Sequence, residues 1–423
     1  KQGDKNMEKL FLPGDILLPK EADMTLWSVI ACDQYTSQPE YWDAVEKKVG
    51  DAPSTLRLML PEAYLETRNT AEETEKINRT MEKYLDDGVF KDVRDSYIYI
   101  ERALPGGETR RGLLGLIDLE AYDYRAASVS PIHATEGTVE SRLPPRVKVR
   151  EGALLELPHI VVFIDDPENR VFGAIHGSET LYDFDLMDGG GHIRGERVCG
   201  TEAEKLQATL QGLAEPKYLE ERYHLNGKPP IIIAMGDGNH SLATARLCWE
   251  KIKETLTPAE REKHPARFGL AELVNIHDNS IVFEPIHRVI FETDPSKFFD
   301  EAKSFFKSAA GTENSKHKIT CLCGEKTEEI TVTGLTIGSA ISAAQKFCTE
   351  YIKTHGGKLD YIHDDATAIE MSHRAGCAGL LLPPMDKNEL FPSIISSGVF
   401  PAKSFSIGPS RDKRYYLECR KIK

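Results

Sequence analysis

The sequence lacks the features that mark several large classes of protein. No hydrophobic run in its 423 residues approaches the length of a membrane span. The N-terminus shows no basic region followed by an apolar one, as a secretory signal would, and no internal repeat or low-complexity segment is present.

Hydrophobic residues make up 40% of the chain, enough for a substantial core, and the length predicts two or three domains. The polar opening Lys1–Asn6 is expected to be disordered, with Met7 as the natural start.

Positive charge is also scarce. Lys and Arg number 53 against 67 Asp and Glu, for a formal net charge of −14. Because nucleic acids and anionic membranes attract basic surfaces, neither is an expected partner. The net charge does not exclude a local basic pocket. A small-molecule substrate is therefore the predicted partner, and a homo-oligomer is compatible with the sequence.

The eight cysteines include no C-x-x-C pair. Structural zinc is therefore not expected, and reduced thiols in a cytoplasmic protein are the favoured interpretation.

Familiar nucleotide motifs are absent too, since neither a Walker A sequence nor G-x-G-x-x-G occurs. What stands out is a strand–turn–helix pattern over residues 230–249. The apolar run Ile231–Met235 predicts a buried strand, Gly236-Asp237-Gly238 breaks it, and Asn239 or Ser241 is placed to cap a following helix. A helix N-terminus after a glycine turn favours a bound anion, above all phosphate. A purely structural turn explains the same pattern equally well.

Side chains near this turn could supply chemistry. Asp237, His240 and Arg246 bring a carboxylate, an imidazole and a cation. Upstream, Glu136 precedes a run of cations that begins at Arg142. This run could receive phosphates, but a solvated helix face is the favoured interpretation.

Two other stretches carry candidate binding residues. Residues 27–42 are rich in aromatic and hydrogen-bonding side chains, as small-molecule pockets are. The favoured alternative is a helix start capped by Ser37 with Trp42 in the core. Further on, His287 and Arg288 lie in a predicted strand and should point to opposite faces, one entering a pocket and the other pairing at the surface.

The periodicities predict a mixed α/β (or α+β) fold with two lobes, 7–293 and 294–423. Residues 69–87 predict a helix, 96–102 with 112–119 a hairpin, and 171–175 a strand partner for 159–164. Residues 183–192, with three glycines, predict a loop that is either an exposed connection or a lid over a ligand. Beyond residue 294 helices and strands alternate, ending in a strand over 413–421.

Several short motifs resemble those of the prokaryotic domain-of-unknown-function family numbered 1015. That family's hallmark is a strand followed by D-G-H-H-R-Y and a helix, and the equivalent here is Asp237-Gly238-Asn239-His240-Ser241-Leu242. Four other pieces agree in chain order: Glu136-Gly137-Thr138, Pro285-Ile286-His287-Arg288, Tyr361-Ile362-His363-Asp364 and Gly398-Val399-Phe400-Pro401-Ala402-Lys403-Ser404.

The D-G-H-H-R element is in turn similar to one in free serine kinases of the ParB/sulfiredoxin-like superfamily. The resemblance implies a ParB/sulfiredoxin-like element around the turn, ATP or ADP with Mg²⁺ as cofactors, and phosphoryl transfer to a small hydroxy amino acid such as serine. This chain departs from the motif at Asn239 and Ser241, which replace a histidine and an arginine. Because a phosphate clamp normally uses a bidentate guanidinium, Arg246, Arg142, Arg146 or Arg288 would have to replace it.

The leading hypothesis is thus a nucleotide-dependent phosphotransferase. A non-catalytic nucleotide- or phosphate-binding regulatory module is the first alternative, and a metal-dependent hydrolase using His240, His363, Asp237 and Asp364 is the second. The predicted catalytic residues are Glu136 as general base, Asp237 (which could also hold Mg²⁺) and His240. The predicted phosphate or nucleotide ligands are Gly236, Gly238, Asn239, Ser241, Arg246, His287, Arg288 and Lys403. The predicted substrate contacts are Asp33, Gln34, Tyr35, His133, His363 and Asp364.

Overall fold

A computed structural model describes residues 10–125 and 128–423. The predictions for Lys1–Asn6 and Met7 lie outside the described residues. The fold is mixed α/β, as predicted. The chain forms two compact units: unit 1 contains residues up to 134, 138–281 and 409–423, and unit 2 contains 135–137 and 282–408. The division at residues 293 and 294 stays a prediction about independently folding domains.

The strands of the described residues are β1 Phe11–Leu12, β2 Gly14–Pro19, β3 Val29–Ile30, β4 Phe90–Ala103, β5 Thr109–Asp118, β6 Tyr122–Asp123, β7 Ile132–His133, β8 Leu155–Glu156, β9 Val161–Ile164, β10 Glu179–Asp185, β11 His192–Val198, β12 Ile233–Asp237, β13 Phe268–Asn275, β14 Phe283–Pro285, β15 His287–Phe291, β16 Lys316–Cys323, β17 Lys326–Thr333, β18 Lys358–Ile362, β19 Ala378–Leu381, β20 Phe405–Ile407, β21 Tyr415–Tyr416 and β22 Arg420–Lys421.

The α-helices of this part of the chain are α1 Met24–Trp27, α2 Pro39–Val49, α3 Thr70–Asp86, α4 Leu143–Glu151, α5 Gly200–Leu213, α6 Pro216–Tyr223, α7 Asn239–Lys253, α8 Pro258–Lys263, α9 Pro295–Ser308, α10 Ile337–His355, α11 Asp365–Ser372 and α12 Leu390–Ser397. None of these described helices has the length and apolar character needed to cross a membrane.

Unit 1 is built on a large mixed sheet with strand order β10-β11-β4-β5-β13-β9-β12-β7-β6, to which β1 and β2 add. The predicted hairpin is confirmed as β4 and β5, which pair from Ile98 with Leu114 to Ala103 with Thr109. Strands β9 and β12 are apolar and lie inside the sheet, where both faces are covered. This explains why the run at 231–235 is continuous rather than alternating.

The C-terminal segment 409–423 belongs to unit 1, which corrects the prediction of one strand over 413–421 in the second lobe. Strand β21 pairs with β3, and β22 pairs with β8. Immediately before β21, the buried Arg414 donates to Glu272 at 2.7 Å and to Glu418 at 2.9 Å. A buried arginine held by two carboxylates fixes this segment in the core of the unit.

Two other corrections concern unit 1. Residues 171–175 form turns rather than a strand, and β9 pairs instead with β12 and β13. Residues 183–192 are not a free loop, because β10 and β11 form an antiparallel hairpin around them. Gly195 of this hairpin packs against the Tyr182 ring, leaving no room for a Cβ atom.

Unit 2 contains a five-stranded sheet with order β17-β16-β19-β15-β18 and a separate β14–β20 pair. The predicted alternation of helices and strands is confirmed, and α9 spans residues 295–308 as the pattern indicated. The α9 side chains Phe298 and Phe306 pack on Phe347 of α10, so that the two helices share an aromatic core.

Candidate functional site

The turn that the sequence predicted as a phosphate site connects β12 to α7 in unit 1. Gly238 precedes the helix with φ of 81°, a left-handed conformation that side chains other than glycine rarely adopt. Gly236 lies against the Phe163 ring, where a Cβ would stand 2.8 Å from ring carbons. The helix begins at Asn239 without a side-chain cap, so the predicted capping by Asn239 or Ser241 is wrong. The first-turn N–H groups therefore have no side-chain acceptor from the N-cap residue.

Asp237 ends β12 and is held as a carboxylate. Burial raises the pKa of this carboxyl, but the Lys413 ammonium, together with His159 and the Gly238 N–H, lowers the pKa below its usual value. The Lys413 Nζ atom lies 3.1 Å from Asp237 Oδ2, and Gly238 N donates to Asp237 Oδ1 at 2.8 Å. An ionised carboxylate with a cation beside it is consistent with either role predicted for Asp237.

His240 lies in the first turn of α7 and is neutral near pH 7. Burial, with the nearby Arg146 and Arg142 guanidinium groups, lowers its pKa to about 4. Its Nε2 atom accepts a hydrogen bond from Val139 N at 3.3 Å. Because a neutral imidazole has one N–H, we assign the proton to Nδ1. That N–H is a donor for an anionic ligand at the turn.

Ser241 belongs to a hydrogen-bonded row of four side chains. Its Oγ lies 2.9 Å from His159 Nε2, and His159 Nδ1 lies 2.7 Å from Tyr416 Oη. The Tyr416 hydroxyl donates to Cys32 Sγ at 3.1 Å. Ser241 thus occupies the motif's arginine position but faces a histidine.

The remaining predicted residues of unit 1 differ in what they contact. Asp33 Oδ2 lies 4.0 Å from His159 Nε2, beside the four-residue row, and Gln34 donates to Asp33 at 3.0 Å. Tyr35 stacks on Tyr41, with ring centroids 3.9 Å apart. Trp42 is buried as expected, but the residue before α2 is Gln38 rather than Ser37.

His133 and Arg246 are committed elsewhere in unit 1. Both ring nitrogens of the buried His133 face backbone oxygens, those of Ala134 and Ser128. The Arg246 guanidinium contacts the Leu119 carbonyl and pairs with Glu120 and Glu250. The charge of Arg246 is therefore already neutralised by Glu120 and Glu250. Arg142, by contrast, is exposed, and its guanidinium group contributes to the lowered pKa of His240.

Glu136 belongs to unit 2, where it holds the segment that follows α12. Its Oε1 accepts from Ser404 N at 3.0 Å, and the backbone N–H groups of Lys403 and Phe405 also donate to the carboxylate. Burial nevertheless outweighs these contacts and raises its pKa. The carboxyl thus anchors a loop in which Lys403 is exposed and has φ of 65°.

His287 and Arg288 are both buried in β15, so the expectation that one of them pairs at the surface is wrong. His287 Nε2 lies 2.7 Å from Asp365 Oδ1, and its Nδ1 accepts from Leu382 N at 3.0 Å. Arg288 donates to Gln345 at 3.0 Å and stacks on Tyr361. Its Nη2 atom has no hydrogen-bond partner among the described residues.

His363 and Asp364 follow β18 in unit 2, and both are exposed. Asp364 is the N-cap of α11 and accepts from Thr367 N at 2.6 Å. This hydrogen bond lowers the pKa of Asp364. The Asp364 side chain therefore caps the N-terminus of α11.

The sequence did not identify three residues that surround the turn: His159, Tyr416 and Lys413. His159 is a single histidine before a strand, and the other two lie in the C-terminal segment. No local sequence pattern identifies these three residues, because contacts between distant parts of the chain bring them to the turn.

The side chains around the turn offer few ligands for the Mg²⁺ that the resemblance implies. No group of three His, Cys, Asp or Glu side chains suited to a metal occurs within residues 10–125 and 128–423. Mg²⁺ in phosphoryl-transfer sites is commonly held by one or two carboxylates together with substrate phosphates. Asp237, the residue predicted to hold Mg²⁺, would be one such carboxylate, with phosphates bound.

Comparison with solved structures finds distant likenesses. A free serine kinase mutant in complex with AMP shares 12% identity, over 73% of this chain and 91% of the other, with a TM-score of 0.37. SbnI from Staphylococcus aureus with a C-terminal truncation shares 11%, over 70% and 83%, with a TM-score of 0.35. A conserved hypothetical protein from Pyrococcus furiosus shares 11%, over 73% and 94%, with a TM-score of 0.34. At these values the likeness carries no argument about function.

No curated protein matches the sequence. A family model, described as protein of unknown function (DUF1015), matches residues 13–347. The match covers most of the chain and includes the turn, Glu136 and Arg288, which confirms the resemblance predicted from the motifs. The chain therefore belongs to the DUF1015 family.

Proposed function

We propose that the turn from Gly236 to Ser241 binds the phosphates of a nucleotide, and that the chain transfers a phosphoryl group to a small hydroxy compound, such as a hydroxy amino acid. The observation that carries the proposal is the position of His240 at the N-terminus of α7, with its Nε2 accepting from Val139 N. Its Nδ1–H donor stands beside the first turn of a 15-residue helix, where the helix dipole favours anions.

The charges around the turn support the same proposal. In a chain of net charge −14, the groups that lower the His240 pKa are the guanidinium groups of Arg142 and Arg146, and Lys413 lies at Asp237. Phosphoryl transfer depends mainly on positioning and on neutralising phosphate charge, so cations and N–H donors are the groups it needs. A bound nucleotide would supply the transferable phosphoryl group.

The residues of unit 1 have separate roles in this proposal. The N–H groups that begin α7 and the His240 Nδ1–H hold phosphate oxygens. Asp237 stays ionised and orients a hydroxyl or a phosphate-bound Mg²⁺. Ser241 Oγ–H donates a hydrogen bond to His159 Nε2, which leaves the serine oxygen able to accept one from a substrate hydroxyl.

A non-catalytic nucleotide-binding module is the second candidate. It is favoured by Ser241, which stands where the motif has an arginine, and by Arg246, which is paired with Glu120 and Glu250. Without an arginine at the motif position itself, phosphate binding could persist while transfer is lost.

One experiment separates the two candidates. The protein is incubated with radiolabelled ATP, Mg²⁺ and a panel of hydroxy acids that includes serine, and labelled products are separated. A phosphotransferase gives a labelled acid that is lost in Asp237→Asn. A binding module gives a nucleotide-dependent rise in melting temperature and no product. Neither product nor stabilisation would refute both candidates.

A further inference from the structure

Unit 1 has a half-open cavity of about 170 Å³ beside the turn. Its wall is mostly apolar and comes from the segments around α3, α4 and β8, with Ser241 and Thr244 of α7 on one side. The apolar lining includes Leu60, Ile77, Met59, Met81, Val149 and Leu270. An engineered cavity of about 150 Å³ holds a benzene ring, so this cavity has room for one small apolar group.

The charged residues of the cavity wall are paired with each other. Glu62 pairs with Arg146, and Arg150 Nη2 lies 2.5 Å from Glu156, which also binds Arg420 at 2.6 Å. A charged ligand group would have to break these pairs or stay unpaired, and both are costly in a desolvated site. The electrostatics therefore favour an uncharged ligand.

The Cys32 thiol also lines the cavity, and it is uncharged. Burial raises its pKa well above the usual value. The thiol stays protonated, and it accepts the hydrogen bond from Tyr416.

The polar corner of the cavity has a defined hydrogen-bond direction. Burial raises the pKa of Tyr416 well above its usual value, so its single O–H persists and is donated to Cys32. Tyr416 Oη then accepts from His159 Nδ1, and we assign to His159 the tautomer with its one N–H on Nδ1, in which Nε2 accepts from the Ser241 hydroxyl. The Ser241 oxygen keeps a free acceptor position toward the cavity, and a ligand satisfies it by donating.

We propose that this cavity binds an uncharged, apolar small molecule with one hydroxyl group, which donates to Ser241 Oγ. The inference concerns binding alone and goes beyond the proposed phosphoryl transfer.

The test uses benzyl alcohol, toluene and benzoate with the full chain carrying ¹³C-methyl methionine. Met59 and Met81 line the cavity and provide local NMR signals, assigned with Met59→Leu and Met81→Leu. Benzyl alcohol should shift both signals saturably, and toluene should bind about five-fold more weakly because it lacks the hydroxyl. Benzoate should not shift them.

Ser241→Ala provides the matched variant, since it removes the acceptor and keeps the apolar wall. In this variant benzyl alcohol should bind no better than toluene, while toluene binding is unchanged. The proposal is overturned if no probe shifts Met59 and Met81, if benzoate binds as well as benzyl alcohol, or if Ser241→Ala leaves the preference for the alcohol intact. No nucleotide is present, so a failure here is distinct from a failure of phosphoryl transfer.

Discussion

The Lys413 ammonium lies 3.1 Å from the Asp237 carboxylate and joins the C-terminal segment to the turn before α7. The two residues are far apart in the sequence, and the pairing of β21 with β3 and of β22 with β8 brings the segment into unit 1. The ion pair lowers the Asp237 pKa despite burial. The charge state of the candidate site thus depends on a segment outside the local motif.

Lys413→Met should destabilise the protein at pH 7 by about 1–3 kcal/mol, the usual range for hydrogen bonds to charged groups. A carboxyl with a lowered folded pKa contributes stability above its ordinary value, 3.8 here, and the contribution disappears as pH falls through the lower folded pKa. The difference from wild type, measured by urea unfolding, should shrink below about pH 4. Lys421→Met, in the same segment but exposed, is the control, and an equal loss in both variants would contradict the role of the ion pair.

Gly238→Ala should cost about 1–2 kcal/mol, because φ of 81° places the new Cβ in a strained conformation. The added carbon would also lie 3.1 Å from Ile160 Cα. Gly212→Ala, in α5 with no heavy atom within 4 Å of its Cβ position, should instead leave stability unchanged or raise it. Unfolding free energies with the same sign and size for both would show that backbone conformation at the turn is not the cause.

Arg142→Gln should raise the His240 pKa above its present value of about 4, since one of the cations that disfavour the imidazolium is removed. Burial, the largest cause, remains, so the pKa should stay below the ordinary 6.5. An NMR titration of the imidazole carbons measures this directly. Lys148→Gln, on the helix that follows Arg142, is the comparison, and a His240 pKa above 7 in wild type would refute the neutral-donor assignment.

Glu136→Gln should match or exceed wild-type stability near pH 8. The folded pKa of Glu136 is raised above its ordinary 4.5, so its stabilising contribution is complete below that value and is lost as pH rises through the folded pKa. Glutamine avoids this loss and keeps an oxygen that accepts from the backbone N–H groups of residues 403–405.

Urea unfolding at pH 5 and pH 8 tests the change. The variant Glu136→Ala leaves those N–H groups unpaired and should cost about 1–3 kcal/mol. A Glu136→Gln variant that loses stability toward pH 8 would disprove the assignment.

Local sequence predicted the strand–turn–helix at 230–249 and the helix at 295–308 because both depend on periodicity and glycine placement. It did not predict how 409–423 folds, since two-residue strands carry almost no pattern of their own. Their positions depend on Arg414, whose two carboxylate partners lie in β13 and in the same segment. The loop predicted over 183–192 failed for a related reason. Its glycines suggested an open connection, but Gly190 packs against the Tyr415 ring and Gly191 against the Ala103 carbonyl, where a Cβ atom would not fit.

The candidate site was predicted in part. Asp237, His240 and Ser241 are adjacent in the sequence, and a motif can therefore identify them. His159, Tyr416 and Lys413 come from other parts of unit 1, and the contacts that orient the motif side chains appear only in the fold. The paired state of Arg246 was likewise hidden, because Glu120 approaches it from a distant segment.

Calorimetric titration of ADP tests the central claim most directly, using wild type, His240→Gln and the exposed control His176→Gln. Glutamine can still accept from Val139 N but lacks the Nδ1–H donor. The account predicts saturable binding to wild type and to His176→Gln, and binding weaker by roughly ten-fold or more in His240→Gln. Absence of ADP binding in wild type, or equal affinity in all three proteins, would contradict the assignment of a phosphate site to this turn.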